Sequence, residues 1–287
     1  MYTCEVKKIA ICADDFALSP GVSSAIIHLI ENKRVSATSC MTVSPGWSLD
    51  ANRLRGVATD IDVGLHLTLT DQKPLGLMPC LAPNGYFPTL KGLVFASLTM
   101  QLNFEEIKGE ICRQLDAFEK FMGRPPDFFD GHHHVHQLPG VQDAMISVIN
   151  ERINKKNIFV RCCWESPARI VRRRVHVLRA LSIAIPGWFL RERLRENGIS
   201  FNHGFSGVHN FRGQHNFDLL MRQFTTAQPT GGLVMCHPGF PDDQLEGVDQ
   251  VTTWREHEFQ MLNSEQISNI FWRGNVSLCR LSETLNE

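Results

Sequence analysis

Four histidines fall within five positions in Phe128-Phe129-Asp130-Gly131-His132-His133-His134-Val135-His136. If the apolar, acid-ended run before them continues as a strand, alternate side chains face opposite sides. Asp130, His132, His134 and His136 then share one face, and His133 takes the other. Such a comb is either a set of metal ligands or a surface histidine tract. Three further groups carry matching chemistry. Asp14-Asp15 follows Ile9-Ala10-Ile11-Cys12-Ala13, His66 lies in Ile61-Asp62-Val63-Gly64-Leu65-His66-Leu67, and His237 follows Gly232-Leu233-Val234-Met235-Cys236. Neutral imidazoles together with a carboxylate suit a divalent cation and leave positions open for water and substrate. A bound cation acidifies its water and polarises a carbonyl. Of two adjacent carboxylates, one can sit on the metal while the other takes a proton. A histidine from a distant strand can return a proton to a leaving group.

The elements that position these groups follow from pattern. Ile9 to Ala13 is a continuous apolar run of the kind buried on both faces of a sheet. Ser19-Pro20 caps a helix over 21–32, and Val35 to Val43 reads as a second strand. A short helix covers Trp47 to Arg55, and the His66 segment is a third strand. Residues 71–103 hold Pro74, Pro79, Pro83 and Pro88 without periodicity and read as a long loop. Ile107, Ile111, Leu115, Phe118 and Met122 recur at helical spacing, and Gly123-Arg124-Pro125-Pro126 stops that helix before the histidine strand. A helix from Val141 to about Arg152, a strand over 158–162, a short strand near Ile199 to Phe201, a helix from about Asn216, a helix around Trp254 to Leu262 and a strand near Val276 to Leu281 complete the pattern. Strands alternating with helices argue for parallel βαβ units, in a barrel or a doubly wound sheet. Asp14-Asp15, His66, His132 and His237 all stand at or just past the C-terminal ends of strands, where both architectures build their sites.

Composition excludes several classes. With 43% hydrophobic and 21% charged residues and a formal net charge of −1, the chain is of ordinary globular type and has no overall attraction for nucleic acid. Nine scattered cysteines without a C-x-x-C read as reduced thiols. Neither a leader-like start nor an apolar run of membrane-spanning length is present, so the expected location is cytoplasmic. Residues 165–198 form an arginine-rich insertion around the apolar piece Leu181 to Leu190. We expect a pair of helices there with a solvated basic face and a buried stripe, broken at Pro186-Gly187; weak membrane-surface contact is the other expectation.

Taken together, Ala13-Asp14-Asp15-Phe16, Val63-Gly64-Leu65-His66-Leu67, Asp130-Gly131-His132-His133-His134-Val135-His136 and Met235-Cys236-His237-Pro238-Gly239 resemble the successive motifs of YdjC-like carbohydrate deacetylases. Arg124-Pro125-Pro126 and Val160-Arg161 fit as well. The resemblance covers almost the whole chain in order. It implies a distorted TIM-like (β/α) barrel, α/β in class, as one domain over 1–287 with the two insertions. It implies one divalent metal ion, Mg²⁺ or Zn²⁺, and hydrolysis of the N-acetyl group of an amino sugar, in a homo-oligomer (dimer or trimer). By position it assigns Asp15, His66 and His132 to the metal, Asp14 to the base by analogy with metal-dependent polysaccharide deacetylases, and His237 to the acid. His134, His136 and Arg161 become substrate-binding or supporting residues, although the strand comb leaves His134 or His136 open as the ligand. Cys12 and Ala17 stand where the family commonly has Asn and Gly, and Ala17 disfavours a positive φ beside the site. A lipid-linked amino-sugar deacetylase, a metal-dependent phosphoesterase and a non-catalytic sugar-binding protein are the alternatives.

Overall fold

The first apolar run forms β1 (Lys7–Phe16), buried from Ile9 onward, and the rest of the molecule is arranged around it. The computed structural model describes residues 5–210, 217–248 and 252–285. Its other strands are β2 (Ala37–Cys40), β3 (Asp62–Leu67), β4 (Phe128–Gly131), β5 (Phe159–Val160), β6 (Ser200–Phe201), β7 (Gly204–Ser206), β8 (Gly232–Cys236) and β9 (Val276–Leu278). The helices are α1 (Pro20–Glu31), α2 (Trp47–Arg55), α3 (Leu90–Leu98), α4 (Phe104–Met122), α5 (Val141–Arg152), α6 (Pro167–Arg173), α7 (Val177–Asn197), α8 (Phe217–Thr226), α9 (Asp243–Val248), α10 (Thr252–Asn263), α11 (Glu265–Gly274) and α12 (Leu281–Thr284).

Every described strand pairing is parallel, in the order β6-β5-β4-β3-β2-β1-β8-β7, with β9 against the start of β1. The two ends of that order, β6 and β7, are separated in sequence by Asn202 and His203 alone. Two residues span only about 7 Å, so the sheet must curl back on itself. Asn202 closes the seam: its Oδ1 accepts the Cys162 N–H at 2.7 Å, and its Nδ2 donates to the carbonyls of Cys162 (2.9 Å) and Gly204 (2.8 Å). The result is the distorted TIM-like α/β barrel that the motifs implied. Parallel strands bring all their C-terminal ends to one mouth.

Local rules place the helices. Ser19 accepts the Val22 N–H and Pro20 opens α1. Asn103 caps α4, which ends at Gly123 with φ 73°, and the expected stripe of Ile107, Ile111, Leu115, Phe118 and Met122 is buried. Two expectations fail. The stretch 71–103 is not loop throughout, because Thr89 caps α3 and Leu93 is buried beneath it. In the arginine-rich insertion, α6 and α7 are the expected pair, but α7 runs straight through Pro186. Its inner row of Ala184, Gly187, Leu190 and Leu194 is buried. A Cβ on Gly187 would meet the Trp164 nitrogen at 2.5 Å, so this helix lies against the chain after β5 closely enough for packing to outweigh one missing hydrogen bond. Among the described residues no helix is long and apolar enough to cross a membrane.

Candidate metal centre and active site

Asp14 and Asp15 end β1 in a break of register between Ala13 and Phe16. Regular alternation would send them to opposite faces. The irregularity, with Asp15 at φ 67°, instead lets both line one cavity of about 330 Å³ at the barrel mouth. Ala17 takes φ 74° as well, so the alanine did not change this loop in the way expected; it adopts the left-handed conformation at a cost of about 1 kcal/mol. Its N–H is held by Ser23 Oγ at 3.1 Å.

The histidine run is a turn and not a comb. β4 stops at Gly131, and His133 and His134 have φ of 53° and 60°. Gly131 permits this because a Cβ there would lie 3.0 Å from the His136 nitrogen and ring. The four rings therefore have different surroundings, although those of His132 and His133 stay in contact with centroids 3.9 Å apart. His132 Nδ1 faces Asp15 Oδ1 at 3.0 Å. His133 is exposed, 3.1 Å from Thr70 Oγ1. His134 Nδ1 lies 3.6 Å from Cys163 Sγ and its ring stands edge-on to Phe205. His136 is fully buried, and its Nε2–H donates to the Arg161 carbonyl at 2.9 Å.

Asp15, His66 and His132 each offer a donor atom within 4.8 Å of the other two. This brings together one carboxylate and two imidazoles from β1, β3 and the turn after β4, a donor set that fits a divalent cation. Each donor is held from behind. His66 Nδ1–H donates to Asp130 Oδ1 at 2.7 Å with Ser39 Oγ at 2.9 Å, which turns Nε2 toward Asp15 Oδ1 at 3.2 Å. Asp15 Oδ2 is held by Arg255 Nη2 at 2.6 Å. Burial opposes charge on Asp15 and His66, yet their partners win. Arg255 and His132 keep Asp15 well below the carboxylate range. Asp130, Asp15 and Asp14 raise His66 to about 10. The carboxylates thus already favour positive charge at the place a cation would take.

Asp14 sits beside this set. Arg161, with no solvent exposure, forks onto both its oxygens at 2.6 Å and also reaches Asp130 Oδ2 at 2.7 Å. Against burial, that guanidinium lowers Asp14 to about 2. His237 Nε2 lies 4.0 Å from Asp14 Oδ2. Burial lowers the His237 ring below its ordinary value although Asp15, Asp14 and Glu258 pull the other way. Burial also pushes His134 well down and His136 to about 4.

Asp14, Asp15, His66, His132, His134 and His237 line the one cavity. His136 and Arg161 stand behind it as supports. Sequence reasoning missed Arg255, Glu258 and His209. Arg255 and Glu258 lie on α10, where no local pattern marks a charge as buried, and His209 follows β7, a three-residue strand too short for any periodicity. Asp130, His66 and Arg161 were each visible in the sequence, but the pairing of Asp130 with the other two was not.

A family model described as YdjC-like protein matches residues 8–272. A chitooligosaccharide deacetylase of Serratia marcescens is 37% identical over 135 residues, 47% of this chain and 53% of that relative, so the match spans about half the relative's length. A chitooligosaccharide deacetylase of Yersinia pestis bv. Antiqua (strain Angola) is 31% identical over 243 residues, 83% of this chain and 84% of the relative. The crystal structure of an Enterococcus faecalis V583 protein superposes with a TM-score of 0.74 at 22% identity, covering 97% of this chain and 99% of that one, which speaks for the fold.

Proposed function

The chain belongs to the YdjC-like protein family, and on that premise we propose that it is a metal-dependent deacetylase. It removes the N-acetyl group from an amino sugar in a short oligosaccharide or glycoconjugate and releases acetate. The observation that carries this reading is the convergence of Asp15, His66 and His132 beside the Asp14–His237 pair in a single cavity. The relatives' shared description supports the acetylated-sugar substrate.

Asp15, His66 and His132 would hold Mg²⁺ or Zn²⁺. When bound, such an ion lowers the pKa of a water and polarises a carbonyl, which allows so weak a base as Asp14 to serve. Arg161 keeps Asp14 ionised and aims its carboxylate, and Asp14 accepts a proton from the attacking water. His237 Nε2 delivers a proton to the amine nitrogen as the C–N bond breaks. Because burial favours the neutral His237 ring, it must first gain that proton, and Asp14 Oδ2, 4.0 Å away, can return it through one bridging water.

A phosphoesterase with two metals fits less well. Cys12, Asp14 and Asp130 also cluster, but the Arg161 guanidinium contacts all three and is the cation of that group. The test is acetate release from N-acetylated mono-, oligo- and lipid-linked sugars, with and without added divalent metal. Asp14→Asn and His237→Ala should each lose at least 100-fold in kcat. Wild-type rates in either variant would remove that residue's role, and phosphate-ester turnover without acetate release would remove the whole reading.

A further inference from the structure

One turn of α10 touches the ends of three strands. Arg255 and Glu258 are three residues apart and so face the same way from the helix. Arg255 holds Asp15, at the end of β1, at 2.6 Å. Glu258 has no solvent exposure. Its Oε2 accepts the backbone N–H of His237, just past β8, at 2.5 Å, and its Oε1 accepts His209 Nε2–H, beyond β7, at 2.8 Å. The Arg255 carbonyl accepts the Gly239 N–H at 3.1 Å. Pro238 has no N–H to give, so the backbone donors of His237-Pro238-Gly239 all end on this one turn. His209 and His237 line the same cavity.

A buried carboxylate costs several kcal/mol unless its oxygens are paired, and here both oxygens are taken by residues of the candidate site. We propose that Glu258 is a positioning residue: through the main chain it sets His237 over the reacting amide, and His209 is the brace that fixes the carboxylate. Arg255 does the same for Asp15, so α10 sets the spacing between the metal ligand and the proton donor. The proposal rests on the deacetylase reading and sharpens it.

A residue acting through the proton donor matters only where the leaving group needs a proton. An amine needs one; the nitrophenolate of 4-nitrophenyl acetate does not. Glu258→Gln keeps the shape and removes the charge. We expect its kcat on N-acetylated sugars to fall at least tenfold with KM within twofold, while 4-nitrophenyl acetate turnover and the Kd for Zn²⁺ stay within twofold. Glu258→Asp, too short to reach both partners, should show the same split. Full activity on the N-acetyl substrate, or equal loss on both substrates, overturns the proposal. Independently of any substrate, the His237 amide proton of the zinc-loaded protein should resonate far downfield and move upfield in Glu258→Gln. An unmoved resonance also overturns it. A sugar screen that finds no acetate release with that resonance shifted as expected counts instead against the deacetylase reading.

Discussion

Metal affinity should depend steeply on pH, and His66 shows why. Its Nδ1 is committed to Asp130, so an incoming cation needs Nε2, the atom that faces Asp15. Burial alone would keep this ring neutral, but three carboxylates raise it to about 10. At pH 7 the proton must therefore be expelled from a group roughly three units below its pKa. That corresponds to about one bare ring in a thousand, or a penalty of about 4 kcal/mol. Each unit of rising pH removes a tenfold share of it, so Kd should fall about 100-fold from pH 6 to pH 8 through His66 alone. Calorimetric titration with Zn²⁺ in two buffers of different ionisation heat counts the protons, and at least one per metal is expected. Asp130→Asn removes the charge that most raises the ring, so its slope should flatten above pH 7. A wild-type Kd constant within threefold across this range, with no proton released, would refute the reasoning.

Arg161→Met leaves two buried carboxylates without their cation and should cost about 3–5 kcal/mol in urea unfolding; a loss under 1 kcal/mol would contradict the burial described. Asp14 titrates at about 2 against an ordinary 3.8, so its contribution to stability is complete above pH 3.8 and is lost as pH falls through 2. The difference in unfolding free energy between pH 5 and pH 2 should accordingly be about 2 kcal/mol smaller in Asp14→Asn than in the wild type. Ala17→Gly relieves the left-handed strain but loosens the unfolded chain, for a net gain of about 0.5 kcal/mol; a destabilised variant would show that the φ of 74° is not strained.

What the sequence made legible were the features written in local pattern. The apolar runs of β1, β3 and β8, the stripe of α4 and the clustering of Asp14, Asp15, His66 and His237 at strand ends all depend on neighbours a few residues away. Misread features have causes farther off. The histidine turn is set by Gly131 letting His136 close behind it, and the continuity of α7 by Gly187 resting on Trp164. β7 is only three residues long and draws its burial from β8. Arg255 and Glu258 look like any charges on a helix until β1 and β8 are brought against them, a separation of 240 residues in the Arg255–Asp15 case.

Around most of the barrel, neighbouring strands are joined by a ladder, so breaking one bond leaves others in place. Between β7 and the chain leaving β5 at Cys162 the Asn202 amide makes the join with a single side chain. The cylinder therefore has a line of least resistance, and loosening it exposes the outer edges of β6 and β7, which stay tethered through Asn202 and His203 but can pair with other molecules. Mild heating or Asn202→Leu should thus show first as light scattering from self-association, while Zn²⁺ affinity in the remaining monomer is unchanged. For this chain, solubility and chemistry are guarded by different residues.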